Sequence, residues 1–283
     1  MARSPTFTLV AALILAATGA PVRAETCGPD ALGVSRVMAV GTEGGLRVGL
    51  KTYPRTLPLG DHEVVLTFDD GPAPETTAKI LDALARECVR ATFFVIGREV
   101  ERYPDLARRE AEEGHTIAHH TYSHPQPTMR AMTAAEARAD VVHGMAVVER
   151  EVYRVDVSGL APGDLASLKV HTPFFRFPGF AETPDLGAFF AANNIGTFGA
   201  DLWAADWLKM TAQQELRAIL GALDRAGRGM ILLHDDKPWT TAMLPDFLRA
   251  LKVRGYKIVH IVAGPGPGET SPAPMGWKPV APP

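Results

Sequence analysis

Short apolar, β-rich runs alternate along most of this chain with stretches whose apolar residues recur at helical spacing. The strand-like runs are EVVLTFDD (63–70), ATFFVIG (91–97), HTIAHH (115–120), FFRFPGF (174–180), NIGTFGADL (194–202), GMILLHD (229–235) and KIVHIV (257–262). Between them, residues 75–89, 98–113, 133–152, 183–193, 211–226 and 245–254 carry the helical period, as Leu216, Ile219, Leu220 and Leu223 do. Two of these stretches carry a start signal. Thr133 with Glu136, and Thr211 with Gln214, fit the capping box, in which a hydroxyl and a side chain three residues on satisfy free backbone N–H groups. Such alternation predicts an α/β fold with a mostly parallel sheet and helices outside it, and seven repeats favour closure into a barrel or barrel-like sheet. Active residues would then sit at the C-terminal ends of the strands.

The remaining segments read differently. Residues 1–24 pair Arg3 with an apolar stretch from Phe7 to Ala17 and offer Val22 and Ala24 before a cut, the pattern of a signal peptide removed after Ala24. This predicts export, to the periplasm or outside the cell. Thr18, Gly19, Pro21 and Arg23 stop the apolar run short of the ~20 residues that a span needs, so no stable membrane anchor is expected. Residues 25–60 are a polar, Gly-rich entry to a domain covering 61–263. The connection 153–172 reads as a surface insertion near the site, and 264–283 is too rich in Pro and Gly to pack, so disorder or an extended linker is expected. Cys27 and Cys88 are the chain's two cysteines. Either they form a disulfide, as export would permit, or Cys88 is a small buried hydrophobe beside Ile80, Leu81 and Leu84. At 46% hydrophobic, 283 residues can build a sizeable core, and a formal charge of −3 without a Lys/Arg run argues against a nucleic-acid partner.

Candidate chemistry collects where the runs end: Asp69 and Asp70 after LTF, His119 and His120 after TIA, Arg176 in FFRFPG, Asp206 after DLWAA, and His234 after ILL. A single polar residue at a strand end is usually a cap or turn residue. Five strands delivering ionisable groups to one rim indicate an active site. The stretch GHTIAHHTYSHPQ (114–126) holds His115, His119, His120 and His124. His115 opens its strand and so belongs to the opposite rim. His119 and His120 are adjacent and alternate across the sheet. His120 and His124 are four apart, the spacing that puts two imidazoles on one side of a helical turn. With a carboxylate from Asp69 or Asp70 they would make a His₂-carboxylate site with an open position, the pattern of catalytic zinc.

TFDDGP (67–72), HTYSH (120–124), RFPGF (176–180), the stretch to Asp206-Trp207, and LLH (232–234) resemble the five ordered motifs of polysaccharide deacetylases of the NodB homology type, carbohydrate esterase family four. The resemblance spans about residues 61–263 and implies a distorted (β/α)₇ barrel with metal-dependent removal of acetyl groups from N-acetylated sugars. By position it makes Asp70, His120 and His124 the ligands of one divalent metal, zinc first, with cobalt or nickel as alternatives. Asp69 becomes the general base and His234 the general acid, with Arg176 holding Asp69 and Asp206 orienting His234. Trp207 and Leu232 would wall the acetyl pocket, and the Gly179 N–H would help hold the oxyanion. Two positions depart from the pattern: Phe177 stands where the family often has Pro, and Gly179 where an aromatic is common. His119 replaces a frequent Asn, as an outer-shell partner or a plain surface residue.

The expected activity is therefore N-deacetylation of N-acetylglucosamine-type sugars in chitooligosaccharide, peptidoglycan or exopolysaccharide. The alternatives are an esterase for O-acetyl groups on xylan or peptidoglycan, and a catalytically silent carbohydrate-binding protein. The silent reading calls for a lost base or acid, and Asp69 and His234 are both present.

Overall fold

The computed structural model describes residues 27–273 and residue 277; the expected signal peptide lies outside them. The first six runs of the sequence become seven strands: β4 (Glu63–Asp69), β5 (Thr92–Val95), β6 (Thr116–His119), β7 (Phe174–Phe175), β8 (Gly196–Phe198), β9 (Leu202–Trp203) and β10 (Gly229–His234). They pair in parallel in the order β9, β10, β4, β5, β6, β7, β8. The two ends of that row, β8 and β9, are consecutive in the chain and joined by residues 199–201, so the sheet curls back on itself. This is the barrel-like α/β closure that the alternation predicts. The run 194–202 is broken into β8 and β9 at this seam, where Gly199 N–H bonds Val48 C=O and Asp201 N–H bonds Met230 C=O.

Side-chain parity sets what the barrel holds. Along β4, Val64, Leu66 and Phe68 face the helical layer, where they pack with Ile80, Leu244 and Phe247. Val65 faces the interior with Phe94, Phe174, Phe198 and Met230. Period-two alternation therefore sends Thr67 and Asp69 inward as well. In β10, Ile231 and Leu233 face out, so Leu232 and His234 face in. Each large apolar side chain buried in this way contributes on the order of 1.5–3 kcal/mol.

The outer helices are α1 (Thr77–Arg86), α2 (Gly97–Arg102), α3 (Pro104–Glu112), α4 (Ala134–Glu151), α5 (Pro184–Ala192), α6 (Ala212–Ala226) and α7 (Pro238–Val253). Both expected capping boxes form, at Thr133 and Thr211. The stretch 98–113 is two helices because Pro104 opens a new one at its first position. Helix α7 starts seven residues before the apolar period suggests, and Pro245 lies inside it.

The polar entry segment is more structured than its composition suggests. It supplies β1 (Arg36–Gly41), paired in parallel with β11 (Lys257–Gly264), and β2 (Arg47–Val48), parallel to β8. It also supplies β3 (Arg55–Thr56), antiparallel to β12 (Ser271–Pro272). The expectation of disorder is corrected for the described part of the tail: β12 pairs with β3, and Arg55 donates to the Thr270 carbonyl at 2.8 Å. Cys27 and Cys88 form a disulfide with Cα atoms 5.9 Å apart. No described helix is long and apolar enough to cross a membrane.

Candidate active site

Strand β4 ends on Asp69, and the next residue leaves the strand geometry. Asp70 has φ +79°, in the left-handed region that Asp tolerates better than most residues. The turn brings two adjacent carboxylates, which a continued strand would separate, to one rim. Gly71 is required by a close approach: a Cβ there would lie 2.0 Å from Asp235 Oδ2. Asp235 is buried, bonded to the Thr77 hydroxyl at 2.5 Å, and pushed up to about 7 by burial and by the charges of Asp236 and Asp70. It pins the β4 exit to α1.

Asp70 meets the two histidines. His120 Nε2 lies 3.5 Å and His124 Nε2 3.4 Å from Asp70 Oδ1, and one ligand atom from each residue falls within 4.8 Å of the others. The helical turn expected between His120 and His124 is not there. They converge through an irregular loop in which Thr121 (φ +70°) and His124 (φ +48°) are left-handed. The loop is fixed from α4. Asp140 accepts from the Tyr122 N–H at 3.1 Å, and Gly144 lets the backbone in, since a Cβ there would be 2.6 Å from the Thr121 carbonyl carbon.

The donor set fits a divalent cation. Asp70 Oδ1 is buried without a hydrogen-bond partner, an orphaned acceptor that a positive charge would satisfy. His120 Nδ1 donates to the Arg176 carbonyl at 2.7 Å, which leaves the Nε2 lone pair free, as in metal-ligating histidines. Gln126 lies 3.2 Å from His124 Nδ1, and with its amide oxygen turned inward it would fix the same tautomer. Burial raises the Asp70 pKa, but the His120 contact and the charges of His234, His120 and His124 outweigh it and hold the carboxyl well below the usual range.

A second set of groups is closed by internal partners. Arg176, fully buried inside the barrel, donates to Asp69 Oδ1 at 2.6 Å and to Thr67 at 2.8 Å, with Nη2 on the Gly199 carbonyl and its plane over Phe94. Removing either member of such a pair leaves a buried charge alone, at a cost of about 3–5 kcal/mol. His234 Nδ1 donates to Asp206 Oδ1 at 2.8 Å, and its backbone N–H to Oδ2 at 2.7 Å. Burial lowers the His234 pKa, but the charge and hydrogen bond of Asp206, helped by Asp70 and Asp69, raise it to about 10. Behind Asp206, the Thr240 hydroxyl lies 3.0 Å from Asp206 Oδ2 and 2.9 Å from Glu215 Oε1. One hydroxyl carries one proton, so Asp206 and Glu215 share it and one carboxyl of the pair must itself carry a proton. Burial and the charge of Asp206 push Glu215 up to about 8, consistent with that arrangement.

A cleft of about 640 Å³ opens beside Asp70 and His124, lined among others by Pro74, Arg98, Tyr103 and Gln126. An orphaned carboxylate between two imidazoles, a buried Asp-Arg pair and a raised His-Asp pair meet at one rim of a parallel barrel.

Comparison with known proteins gives the family. The polysaccharide deacetylase family model matches residues 57–163. A chitooligosaccharide deacetylase of Rhizobium leguminosarum bv. trifolii is 47% identical over 197 residues, covering 70% of this chain and 80% of that protein. The chain belongs to the polysaccharide deacetylase family. A peptidoglycan-N-acetylglucosamine deacetylase of Listeria monocytogenes is 31% identical over 70% of this chain, but the match spans only 38% of that longer protein. Among solved structures, the Bdellovibrio bacteriovorus peptidoglycan deacetylase Bd3279 superposes with a TM-score of 0.66 at 31% identity, over 81% of this chain and 58% of that one.

The residues singled out from the sequence gather at one rim, with some corrections around them. Leu232 is buried with Trp203, Ala200 and Ala205, and Phe180 packs against them. Trp207 is 40% exposed and stands edge-on to His234, ring centroids 6.0 Å apart. Gly179 is exposed in a turn at φ +58°, while the aromatic one position on, Phe180, packs against the Trp203 and Leu232 cluster. His119 is neither an outer-shell partner nor a surface residue. It is buried, neither ring nitrogen meets hydrogen-bond geometry with a partner among the described residues, and burial holds its pKa down to about 4. His115 is structural: its Nδ1 accepts from the Ala91 N–H at 3.1 Å, and burial lowers it to about 3. Trp203, Phe180, Thr240 and Glu215 escaped the sequence reading, since each reads locally as an ordinary strand, loop or helix residue.

Proposed function

We propose that the chain hydrolyses the acetamide of N-acetylglucosamine-type sugars to free amine and acetate, with one divalent metal, zinc first, held by Asp70, His120 and His124. The orphaned Asp70 Oδ1 facing two imidazole Nε2 atoms carries this reading. A divalent ion there would supply positive charge to the attacked carbonyl and make water easier to deprotonate.

The chain's own residues would do the rest. Asp69, held by Arg176 and outside the ligand set, takes a proton from the attacking water. The Gly179 N–H donates to the oxygen that becomes negative. His234, kept protonated by Asp206, gives its proton to the leaving nitrogen as the C–N bond breaks. Leu232 and Trp207 border the space for the acetyl methyl. Sequence similarity to chitooligosaccharide and peptidoglycan deacetylases supports the substrate class. The proposal includes export with cleavage after Ala24, for which N-terminal sequencing of the secreted chain should find Glu25 first.

Acetate release is the test. Purified mature protein supplied with zinc should release acetate and an equal amount of amine from N-acetylglucosamine oligomers, peptidoglycan or an N-acetylglucosamine exopolysaccharide. Absence of acetate from all three would overturn the reading.

A further inference from the structure

The entry segment carries a cation to the active-site rim. β2 runs parallel to β8, so the chain leaving β2 emerges at the rim where Asp69 and His234 lie. There the Lys51 N–H bonds the Ala200 carbonyl at 2.8 Å. The Lys51 ammonium lies 3.6 Å from the Trp203 ring centroid, 5.3 Å from Phe180 and 5.4 Å from Trp207. Trp207 in turn stands edge-on to His234. One aromatic ring therefore separates the ammonium from the residue that would protonate the leaving nitrogen.

Lys51 lacks a counter-ion among the described residues. No carboxylate among the described residues forms an ion pair with it, and burial lowers its pKa with no neighbouring charge to oppose the shift. Aromatic faces attract a cation but do not neutralise it, and a half-buried charge without a partner is costly. Beneath it the buried Trp203 Nε1 also lacks an acceptor. Lys237, also near the centre, makes the contrast, because its ammonium is 2.6 Å from Asp236 Oδ2.

We propose that Lys51, on the ring cluster of Trp203, Phe180 and Trp207, forms a subsite for a carboxylate on the sugar next to the one being deacetylated. This rests on the deacetylase reading and narrows its substrate to anionic N-acetylated glycans. The exposed face of Trp207 would carry the ring of that neighbouring sugar. Two sources share the chemistry: the lactyl ether carboxylate of a muramic residue and the C6 carboxylate of a uronic acid.

The test compares KM for three glycans of equal length, one neutral, one bearing muramic carboxylates and one bearing uronates, in the wild type, Lys51→Gln and Lys51→Arg. The wild type should favour a carboxylate glycan over the neutral one by about tenfold in KM, the scale of one charge-assisted contact. Lys51→Gln should erase that ratio, and Lys51→Arg should keep it. Whichever carboxylate glycan shows the preference names the source. A ratio that Lys51→Gln leaves unchanged would overturn the subsite. If the wild type releases acetate from none of the glycans, the deacetylase reading has failed, and calorimetric binding of the same glycans still decides the subsite. A carboxylate-dependent Kd that weakens about tenfold in Lys51→Gln supports it, and equal Kd values overturn it.

Discussion

Asp70, His120 and His124 meet with donor atoms open, whereas Asp69 and His234, a few ångströms away, are each closed onto a fixed partner. On the open side the acceptor Asp70 Oδ1 has no hydrogen-bond donor among the described residues. On the closed side Arg176 answers Asp69 and Asp206 answers His234, both in buried surroundings. Two carboxylates that are neighbours in sequence therefore differ in what they lack. On the proposed reading Asp70 would be completed by an ion, while Asp69, its charge balanced by Arg176, would keep an oxygen for a proton. The left-handed turn at Asp70 creates the difference, because it lets consecutive residues serve two sites.

Breaking the closed side should have the largest effect. His234→Ala and Asp69→Asn should each lower turnover by a factor on the order of 10² to 10⁴, the usual contribution of a positioned acid or base, as measured by steady-state acetate release with ion content held equal. Asp206→Asn should follow at roughly 10- to 100-fold, with a change in pH profile. Because the His234 pKa is raised above its ordinary 6.5, its pairing with Asp206 stabilises the fold fully below about pH 6.5, and that contribution is lost as pH rises through about 10. The variant should lose activity at lower pH than the wild type, and an alkaline limb that does not move would contradict the assigned partner. In the loaded enzyme the limb should lie below 10, since an ion on Asp70 cancels part of its pull on His234.

Emptying the open side should be felt next, in stability as well as activity. Chelation should lower the melting temperature and zinc should restore it, by about 2.7 kcal/mol when free ion is a hundredfold above its Kd. Identical melting curves with and without chelator would count against the ion. The smallest effect belongs to a histidine outside both sets. His119→Leu removes a buried polar ring without partners and should change stability by about 1 kcal/mol or less, with ion content unchanged.

The strand ends were legible in the sequence because each chemical group follows an apolar run directly, as Asp69 follows LTF and His234 follows ILL. Parity within those runs also carries over to which side chains enter the barrel. The entry segment was not legible, because β2 and β3 are only two residues long, β1 lies outside the strand-helix repeat, and their stability comes from partners more than a hundred residues away, such as β11 and β8. Lys51 was hidden for the same reason. The spacing of His120 and His124 pointed to a pair that does converge, but through the wrong local structure. Four residues suit a helical turn, but here a loop with two left-handed residues, held by Asp140 and Gly144, brings the rings together. In α7 the proline at 245 masks a helix whose first turn already begins at Pro238.

The division between the two aspartates is tested most directly by ion content. Asp69→Asn and Asp70→Asn, purified side by side and equilibrated with limiting zinc, should be assayed for bound ion per chain. Asp69→Asn should retain close to one ion per chain while losing turnover, and Asp70→Asn should bind zinc far more weakly. An Asp69→Asn protein that comes out empty beside an Asp70→Asn protein that comes out loaded would contradict the account and exchange the two roles.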